Sequence, residues 1–526
     1  MDLEVYRESL YYKYLGLLAE HLNRVHDERH AVKYWELIAG PWLRQFIYHA
    51  HYRYLRSAGP NTQNGDIGHG FVPYDYLSLM VAFEETEYST QLAQLVGGHC
   101  DPAQAGEWKI VRVSVASVKK TPAVTSLIRG IIRWIFSRAV PCFCARGLVH
   151  APSIPPNGMF AIWWKSHFKL SPLFCTDVPG PASSINVEMR KWRTPPPVTK
   201  DQFEQVLGKV LLSQIPVVHL EDYWRVVKHV KHFPRNCRMV FSAMGWHQDE
   251  PFKVFAACMA ERGARLVGHQ HGGGYGIAKS KLLEYEASLT DVFLTWGWTG
   301  LEKTKPFIGL KLSETRYKFD KLVEKTAKPN ILFVSSAVSR NLPDGWPCPA
   351  GDQCEQYWES QVIFLKALDG PARKEIVMRL YPHDYFKWDP RGRILSAGLT
   401  VKYCPAKNLV SALANAKLVI SDNNQTTLLE AYACNVPTVA FFDLDLWPLH
   451  PRAEDLFSRM QRVGLFHDTP ESAARHVSVV HSSPELWWNA PQTKEVRMEF
   501  VDTFARTSPT YLQDLVDVLA QECRFP

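Results

Sequence analysis

The chain has 526 residues, 46% apolar and 21% charged, a composition typical of soluble globular proteins with two or three domains. Its formal net charge of +7 is too small and too dispersed to indicate a nucleic-acid partner. The 11 cysteines form no Cys-x-x-Cys pair, and no run of 18 apolar residues predicts a membrane span. The acidic opening MDLEVYRESL is unlike a secretory signal. From these three observations we expect a cytoplasmic protein.

The N-terminal half is predicted to be helical first and then α/β. Residues 1–60 form a helical segment, since YYKYLGLLAEHLNRVH and YWELIAGPWLRQFIYHAHYRYL carry apolar residues three and four positions apart. Residues 61–305 form an acceptor-side α/β domain, with strands predicted in RNCRMVFSAM (235–244) and ARLVGHQHGGG (264–274). The helix between these strands makes a β-α-β unit, which places HQHGGGYG beyond the carboxyl end of a strand, where α/β sheets bind ligands.

The C-terminal half alternates regularly between short strands and helices. The runs PNILFVSSA, KEIVMRLY, LTVKYC, AKLVISD and PTVAFFD are rich in β-branched residues and are separated by helical segments. This alternation predicts a doubly wound parallel sheet. We assign residues 306–480 to a nucleotide-donor-binding α/β domain and residues 481–526 to C-terminal helices that pack back across a cleft.

The segment KLVISDNNQTTLLEAYACNVPTVAFFD carries the strongest functional pattern. A buried strand is followed by a polar loop with Ser421 and Asn423, and a helix begins near Thr426 and Thr427. Hydroxyls and free amides at a helix N-terminus suit a diphosphate. Glu430, about one turn further on, can accept hydrogen bonds from two vicinal ribose hydroxyls. The alternative interpretation is a capping loop followed by a solvated glutamate.

Two other predicted strands end in candidate phosphate ligands. VMRLYPHDY places Arg379 and His383 at a strand end, where arginine can bind phosphate with two donors and the histidine can reach the diphosphate or the base. The alternative is an ion pair with a neighbouring aspartate. Ser335 and Ser336 offer hydroxyls at the end of another strand on the same reasoning.

The glycine run HQHGGGYG matches neither a P-loop nor a dinucleotide fingerprint, and it lacks the thiols or third histidine of a zinc site. We interpret it as a loop of the acceptor half whose glycines allow the backbone to approach a substrate closely. A purely structural turn is the alternative. The residues assigned to this acceptor loop are Gln270, Gly272, Gly273, Gly274 and Tyr275.

Four side chains compete for the role of general base toward a sugar hydroxyl. His269 and His271 follow one strand and lie on the same face of an extended segment, whereas Asp249 and Glu250 follow the preceding strand. Glu286 is a candidate to orient one of the two imidazoles. The sequence does not choose among the four groups.

The segment TSLIRGIIRWIFSRAV (125–140) is apolar around most of a predicted helix, with Arg129 and Arg133 forming a narrow basic stripe. A basic amphipathic helix can lie on anionic lipid, which would give peripheral contact with the inner membrane. A helix packed between domains explains the pattern equally well.

Two resemblances connect these patterns. The Thr-x-x-Glu helix start, with Pro437 seven residues after the glutamate and an apolar strand beyond it, resembles the donor half of GT-B glycosyltransferases. That resemblance implies Thr426 and Thr427 near phosphate and Glu430 at the ribose. More widely, LNRVHDERHAVKYWELIAGPWLRQFIYHAHYRY, GHQHGGGYG with LTDVFLTWGW, VMRLYPHDY and SDNNQTTLLEAYACNVPTVAFFD occur in this order. Together they resemble a family of transferases from bacterial O-antigen and surface-polysaccharide gene clusters.

These resemblances imply a GT-B-like α/β fold of two Rossmann-like domains facing a central cleft, with extra N- and C-terminal helices. They imply a glycosyltransferase that takes a nucleotide-sugar donor and a glycan or lipid-linked glycan acceptor in surface-polysaccharide assembly. Because the helix start and the basic side chain can stabilise the departing phosphate, we expect no metal and no other cofactor. A nucleotide-sugar 2-epimerase or a polyol-phosphate transferase would keep the fold, and a non-catalytic glycan- or nucleotide-binding scaffold is the alternative of another class.

Overall fold

The computed structural model describes most of the chain. The described residues are 2–57, 69–83, 86–97, 107–112, 146–175, 178, 180–323, 330–340, 345–381 and 386–523. Two sequence predictions, the amphipathic helix at 125–140 and the phosphate ligand His383, therefore lie outside the described residues.

Helices make up most of the described structure. Their bounds are Leu3–His26 (α1), Val32–Ser57 (α2), Tyr76–Ala82 (α3), Thr86–Val96 (α4), Pro156–Lys165 (α5), Gln202–Val210 (α6), Tyr223–Val230 (α7), Gly245–Gln248 (α8), Glu250–Glu261 (α9), Lys281–Leu289 (α10), Leu310–Val323 (α11), Gln353–Ala367 (α12), Gly370–Glu375 (α13), Pro390–Ser396 (α14), Leu409–Ala414 (α15), Thr426–Ala433 (α16), Pro451–Arg462 (α17), Pro470–Val480 (α18), Pro484–Trp488 (α19), Pro491–Phe504 (α20) and Tyr511–Glu522 (α21). In the described part of the chain, none of them combines the length and the apolar character that a membrane crossing requires.

The strands are short. They are His69–Pro73 (β1), Glu107–Val111 (β2), Gly147–His150 (β3), Leu170–Pro172 (β4), Met239–Ser242 (β5), Arg265–His269 (β6), Val292–Thr295 (β7), Thr304–Pro306 (β8), Asn330–Val334 (β9), Ile376–Arg379 (β10), Lys402–Tyr403 (β11), Ala416–Ser421 (β12), Thr438–Phe441 (β13) and Phe466–His467 (β14). Strands β1 and β2 pair with each other in parallel.

The two N-terminal helices follow from their sequence. Asp2 caps α1 by accepting a hydrogen bond from the amide of Glu4 (2.8 Å), and the helix ends at Asp27, which has left-handed backbone angles. Helix α1 buries an aromatic and aliphatic face, as the apolar spacing predicts, whereas α2 is buried all round from residue 37 to residue 52. The hydroxyl of Tyr34 on α2 lies 2.9 Å from that of Tyr223 on α7, so the helical segment packs into the same unit as the helices that follow.

The first large sheet has six strands in the order β4-β3-β5-β6-β7-β8. Strand β3 pairs in parallel with both β4 and β5. Successive strands along the chain lie on opposite sides of β3, so the strand order reverses between β3 and β5. Open parallel sheets bind ligands at the carboxyl ends of strands beside such a reversal.

The second large sheet has six strands in the order β11-β10-β9-β12-β13-β14, with parallel pairings. Numbered along the chain this is 3-2-1-4-5-6, the strand order of a Rossmann fold, with its reversal between β9 and β12. The central strands are apolar and buried on both faces, as parallel sheets between helices require. The predicted doubly wound parallel sheet is confirmed, and the α/β fold class with it.

The chain divides into two compact units. The first contains residues 1–269, 288–291 and 515–526, and the second contains residues 270–287 and 292–514. The strands β3 to β6 belong to the first unit, and the whole second sheet belongs to the second unit.

These units differ from the predicted boundaries. The predicted helical segment 1–60 is part of the first unit, and the predicted 61–305 domain loses residues 270–287 and 292–305 to the second unit. The predicted terminal segment 481–526 is divided, because α20 belongs to the second unit and residues 515–526 to the first. The glycine run therefore belongs with the predicted donor domain, which spans 306–480, and not with the acceptor half.

Candidate functional site

A buried polar network joins the strands on either side of the reversal in the second sheet. Gln361 Nε2 donates to Ser335 Oγ (2.9 Å), after β9, and to Asp422 Oδ2 (2.7 Å), after β12. Asn423 Nδ2 donates to the other Asp422 oxygen (2.7 Å), and the Tyr357 hydroxyl lies 3.4 Å from Ser335 Oγ. Burial raises the pKa of Asp422 to about 7, although the hydrogen bonds from Asn423, Tyr357 and Gln361 oppose the shift. Asp422 is therefore a buried acid that titrates near neutral pH.

Several predicted phosphate ligands are turned toward protein partners in this structure. Ser335 is buried in the network just described, and Ser421 Oγ donates to the carbonyl of Asn423 (3.0 Å). Arg379 is half-buried and donates through Nη1 to the carbonyl of Ala406 (2.7 Å). Of the predicted serines, Ser336 alone is partly exposed, and its amide donates to the Tyr357 hydroxyl (2.9 Å).

The glycine run packs against the start of helix α16. The amide of Gly273 donates to Thr426 Oγ1 (2.7 Å). A Cβ added to Gly273 would lie 2.2 Å from the Thr426 nitrogen and 2.3 Å from the Gln425 carbonyl carbon, so only glycine fits. Gly274 has a φ of +84°, which also favours glycine. The prediction that these glycines leave the backbone open to substrate is wrong for Gly273, because the close approach is to another part of the protein.

Gln270 is buried and bonds to Trp296, Trp298 and Gly272, so it is not an exposed acceptor-loop residue. It is fully buried, and its Oε1 accepts hydrogen bonds from the Trp296 amide (3.0 Å) and from Trp298 Nε1 (2.8 Å). Its Nε2 donates to the carbonyl of Gly272 (2.9 Å), and its own carbonyl accepts from Trp296 Nε1 (2.9 Å). The side chain makes three of these four bonds and is fully buried, so it does not face a ligand, which corrects the prediction for Gln270.

Glu430 lies on the second turn of α16 and is almost completely buried. Its Oε1 accepts a hydrogen bond from Thr315 Oγ1 (3.1 Å) and lies 3.9 Å from Lys311 Nζ, both on α11. Burial raises the pKa of Glu430, while Lys311 and Thr315 oppose that shift. The alternative of a solvated glutamate is wrong, and Lys311 adds a half-exposed cation beside the carboxyl group.

His271, Glu286 and Tyr275 form a compact cluster in the second unit. The Tyr275 hydroxyl donates to Glu286 Oε2 (2.7 Å), and His271 Nδ1 lies 3.4 Å from the same oxygen. The Glu286 side chain is fully buried, whereas that of His271 is 31% exposed. Glu286 therefore lies beside one of the two imidazoles, that of His271, and its role in orienting the ring stays a prediction.

His269 does not share an exposed face with His271. It is the last residue of β6, it is fully buried, and its ring centroid is 6.2 Å from that of Phe241. The predicted alternation along an extended segment fails because the strand ends at His269, so His271 lies outside it. Of the two histidines, His271 is the one with exposed ring surface.

Glu250 lies in a buried ionic network of the first unit. It contacts His219 Nε2 (2.9 Å) and Lys253 Nζ (2.8 Å), and it accepts a hydrogen bond from the amide of Tyr76 (3.2 Å). Burial alone would raise the pKa of Glu250, but Lys253 and His219 outweigh it and lower the pKa to about 2. This carboxylate is a poor proton acceptor, which disfavours the prediction of Glu250 as a base.

Asp249 lies beside a histidine that the sequence did not single out. Its Oδ1 accepts from the amide of Phe252 (2.9 Å) and caps α9, and its Oδ2 lies 3.0 Å from His150 Nε2. Cys175 lies close to both residues. Asp249 and His150 line a cavity of about 580 Å³ in the first unit.

Several residues near the candidate sites were not predicted from the sequence, because they lie on helices and strands that carry no short sequence motif. Lys311 and Thr315 lie on a helix with few apolar residues, and Tyr357 and Gln361 lie on the buried face of α12. His150 is visible only as the last residue of the short strand GLVH. A polar residue directly after an apolar run was the available signal for His150, and it was the signal used for Ser335.

Comparison with known proteins gives a family but no curated relative. The family model described as LIC12162 family transferase matches residues 4–519, and no curated protein matches. Among solved structures, MurG from Acinetobacter baumannii is similar at 12% identity and a TM-score of 0.39, over 72% of this chain and 99% of that chain. UDP-GlcNAc 2-epimerase from Neisseria meningitidis, bound to UDP-GlcNAc, is similar at 10% identity and a TM-score of 0.39, over 71% of this chain and 98% of that chain.

Proposed function

Because the chain belongs to the LIC12162 family of transferases, we propose that it is a glycosyltransferase that moves a sugar from a nucleotide-activated donor to a hydroxyl acceptor. The observation that carries this proposal is the hydrogen bond between Gly273 and Thr426. It holds the loop that bears His271 against the helix start that suits a diphosphate. A base and a phosphate site must lie close together for glycosyl transfer, since the attacked carbon is bonded to the phosphate oxygen.

On the donor side, the start of α16 supplies the electrostatics. Its first amides have no partner within the helix, and the helix dipole favours negative charge at this end. Thr427 is partly exposed there, and Asn424 Nδ2 is a buried donor that bonds to no other described residue. Glu430 then lies one turn into the helix, with Lys311 beside it, where its carboxyl group would accept hydrogen bonds from ribose hydroxyls.

On the acceptor side, His271 would take the proton of the attacking hydroxyl. The buried carboxylate of Glu286 orients the ring through Nδ1 and stabilises the imidazolium that forms. The acceptor oxygen bonds to the anomeric carbon, the bond from that carbon to the phosphate oxygen breaks, and the nucleotide diphosphate leaves with the electron pair. The helix start stabilises the negative charge on the leaving group.

This donor site is proposed to work without a metal ion, in a cytoplasmic enzyme of surface-polysaccharide assembly that contacts the inner membrane peripherally. The charge of the departing diphosphate would be balanced by the helix start, by Lys311 and by Arg379 once its bond to a backbone carbonyl is exchanged for phosphate. The acceptor is proposed to be a glycan or a lipid-linked glycan.

Product analysis tests the proposal directly. After a thermal-shift screen has identified the nucleotide that binds, the protein is incubated with simple glycoside acceptors and with a panel of nucleotide sugars and nucleotide-activated polyols. We expect a new glycosidic product and release of the nucleoside diphosphate. His271→Ala should lower the rate of product formation by roughly 10²–10⁴-fold, whereas the replacement of His232, an exposed histidine of the first unit, by alanine should leave it unchanged. An epimerised nucleotide sugar without acceptor glycosylation would support the epimerase alternative. Transfer of a polyol phosphate would support the polyol-phosphate transferase. Nucleotide binding without any turnover would support the non-catalytic scaffold.

A further inference from the structure

The cavity of the first unit contains a cluster of three metal-ligating side chains that the proposed reaction does not use. His150 ends β3 and Asp249 follows β5, so they lie on the two sides of the strand reversal in the first sheet. Cys175 follows β4, the strand next to β3 in the sheet. One ligand atom of each residue lies within 4.8 Å of the other two. Among the described residues, this is the one such group of three or more histidine, cysteine, aspartate or glutamate side chains.

The hydrogen bonding of His150 decides where its lone pair points. Its Nδ1 lies 3.0 Å from the carbonyl oxygen of Leu173, and a carbonyl can only accept, so Nδ1 carries the proton. In the neutral ring the lone pair is then on Nε2, which lies 3.0 Å from Asp249 Oδ2. Two acceptors at this distance repel each other unless a cation lies between them. That cation is either a second ring proton or a metal ion.

From this geometry we propose that His150 Nε2, Asp249 Oδ2 and Cys175 Sγ bind a divalent transition-metal ion, with zinc as the best match. A thiolate, an imidazole and a carboxylate are the ligands that zinc prefers, and the two anionic ligands balance its charge. The carbonyl of Leu173 holds the other ring nitrogen of His150, which is the usual partner of a metal-bound histidine. The inference concerns the first unit and goes beyond the proposed donor chemistry.

The surroundings hold the three ligands in place. The His150 ring is buried and stacks on Phe252 with 4.5 Å between ring centroids. Asp249 keeps its second oxygen on the amide of Phe252, so its carboxylate is fixed at both ends. Burial and Asp249 raise the pKa of Cys175, so the free thiol is protonated and metal binding releases its proton to solvent.

Three protein ligands leave a tetrahedral ion with one open position. His150 and Asp249 both line the 580 Å³ cavity, so the fourth position faces space that a water molecule or a hydroxyl group can enter. A closed structural zinc site would need a fourth side chain. The site is therefore of the open kind, and its exchangeable ligand is an oxygen.

X-ray absorption and cobalt substitution test the site in the full chain. Protein stripped with a chelator is reloaded with one equivalent of Zn²⁺, and we expect one sulfur scatterer at about 2.3 Å together with nitrogen and oxygen scatterers at about 2.0–2.2 Å. With Co²⁺ we expect a thiolate-to-metal charge-transfer band in the near ultraviolet. Cys175→Ser should remove that band and weaken Zn²⁺ binding by about 100-fold or more, whereas Cys237→Ser should leave both unchanged.

Either of two results would overturn the proposed zinc site. If the Zn²⁺-loaded protein shows no sulfur scatterer, or if Cys175→Ser binds Zn²⁺ as tightly as the unaltered chain, the cation between His150 and Asp249 is a proton. Asp249→Asn keeps the capping oxygen of α9 and should also weaken Zn²⁺ binding, which guards against a variant that fails to fold. None of these measurements needs a substrate, so they are independent of the proposed function.

Discussion

Gly273 and Thr426 are joined by a hydrogen bond of 2.7 Å from the Gly273 amide to Thr426 Oγ1, although 153 positions separate them in the sequence. Their backbones are so close that a methyl group on Gly273 would lie 2.2 Å from the Thr426 nitrogen. The loop that bears His271 is therefore fixed against the helix that bears Glu430. This single contact makes one candidate site out of two sequence motifs.

Replacing Gly273 tests how much this contact stabilises the second unit. Gly273→Ala should lower the free energy of unfolding by about 1–3 kcal/mol, because the backbone of Thr426 has to move away from the new methyl group. Gly272→Ala is the matched control, since its Cβ would meet Thr426 Oγ1 at an ordinary 3.5 Å, and its effect should stay within about 0.5 kcal/mol. Chemical unfolding followed by circular dichroism measures both. Equal effects of the two variants would contradict the packing argument.

The His271–Glu286 pair predicts a specific pH profile. If His271 is the base, His271→Ala should lower kcat by roughly 10²–10⁴-fold with near-normal nucleotide binding. Activity of the unaltered chain should fall on the acid side as the imidazole is protonated. Glu286→Gln should lower kcat less and move the acid limb to lower pH, because the amide no longer stabilises the imidazolium.

Two outcomes would count against His271. If the acid limb stays in place in Glu286→Gln, then Glu286 does not act through His271. If His271→Ala keeps wild-type turnover, the base lies elsewhere, and Asp249 becomes the next candidate. His269→Ala should instead lower stability, since its ring is fully buried.

The donor site predicts nucleotide affinity that depends on Glu430 and not on metal. Glu430→Gln should weaken nucleotide binding by about 1–3 kcal/mol, because a ribose hydroxyl loses an acceptor. Isothermal titration calorimetry with the nucleotide found by the thermal-shift screen measures this. The affinity should be the same in EDTA as with added Mg²⁺. A metal requirement for nucleotide binding, or unchanged affinity in a folded Glu430→Gln variant, would refute the donor assignment.

Asp422 predicts a pH-dependent stability. The folded state keeps its proton up to about pH 7, whereas an unfolded aspartic acid loses it near pH 3.9. The stabilisation from this group is therefore complete below about pH 3.9 and is lost as pH rises toward 7, at up to about 1.4 kcal/mol per pH unit. Asp422→Asn removes this dependence, so the variant should gain stability relative to the unaltered chain between pH 5 and pH 8.

Unfolding free energies at several pH values check the Asp422 prediction. Asp445→Asn is the control, because Asp445 is exposed and the substitution should not change the pH profile. A difference between Asp422→Asn and the unaltered chain that is constant over this pH range would show that the carboxyl group is ionised throughout.

The sequence was sufficient for the second sheet but not for the partners of its loops. Short β-branched runs between helical segments predicted β9, β10, β12 and β13, because buried parallel strands need that composition. The glycine run was harder to interpret. Glycines indicate that something approaches the backbone closely, but the pattern does not say whether that is a ligand or, as for Gly273, another stretch of backbone.

In the first unit, the sequence motifs did not predict which side chains lie together in the folded chain. His150 ends β3, Cys175 follows β4 and Asp249 caps α9, and no spacing between them in the sequence matches a known metal motif. Glu250 was predicted as a base from its position after a strand, whereas its role depends on His219 and Lys253, whose contacts with it only the fold reveals. The proximity of Glu286 to one of the two histidines could be predicted because both residues lie close in sequence to one loop.

The division of the chain into units also has a consequence for synthesis. Residues 515–526 complete the first unit, and there Glu522 Oε2 lies 2.8 Å from Arg265 Nε. During translation at about 5–20 residues per second, Arg265 leaves the ribosome roughly 13–50 seconds before Glu522. The second unit, encoded between them, can be folded by then. The N-terminal part of the protein is thus the last to be finished, and a nascent chain interrupted before residue 515 would carry a complete second unit on an incomplete first one.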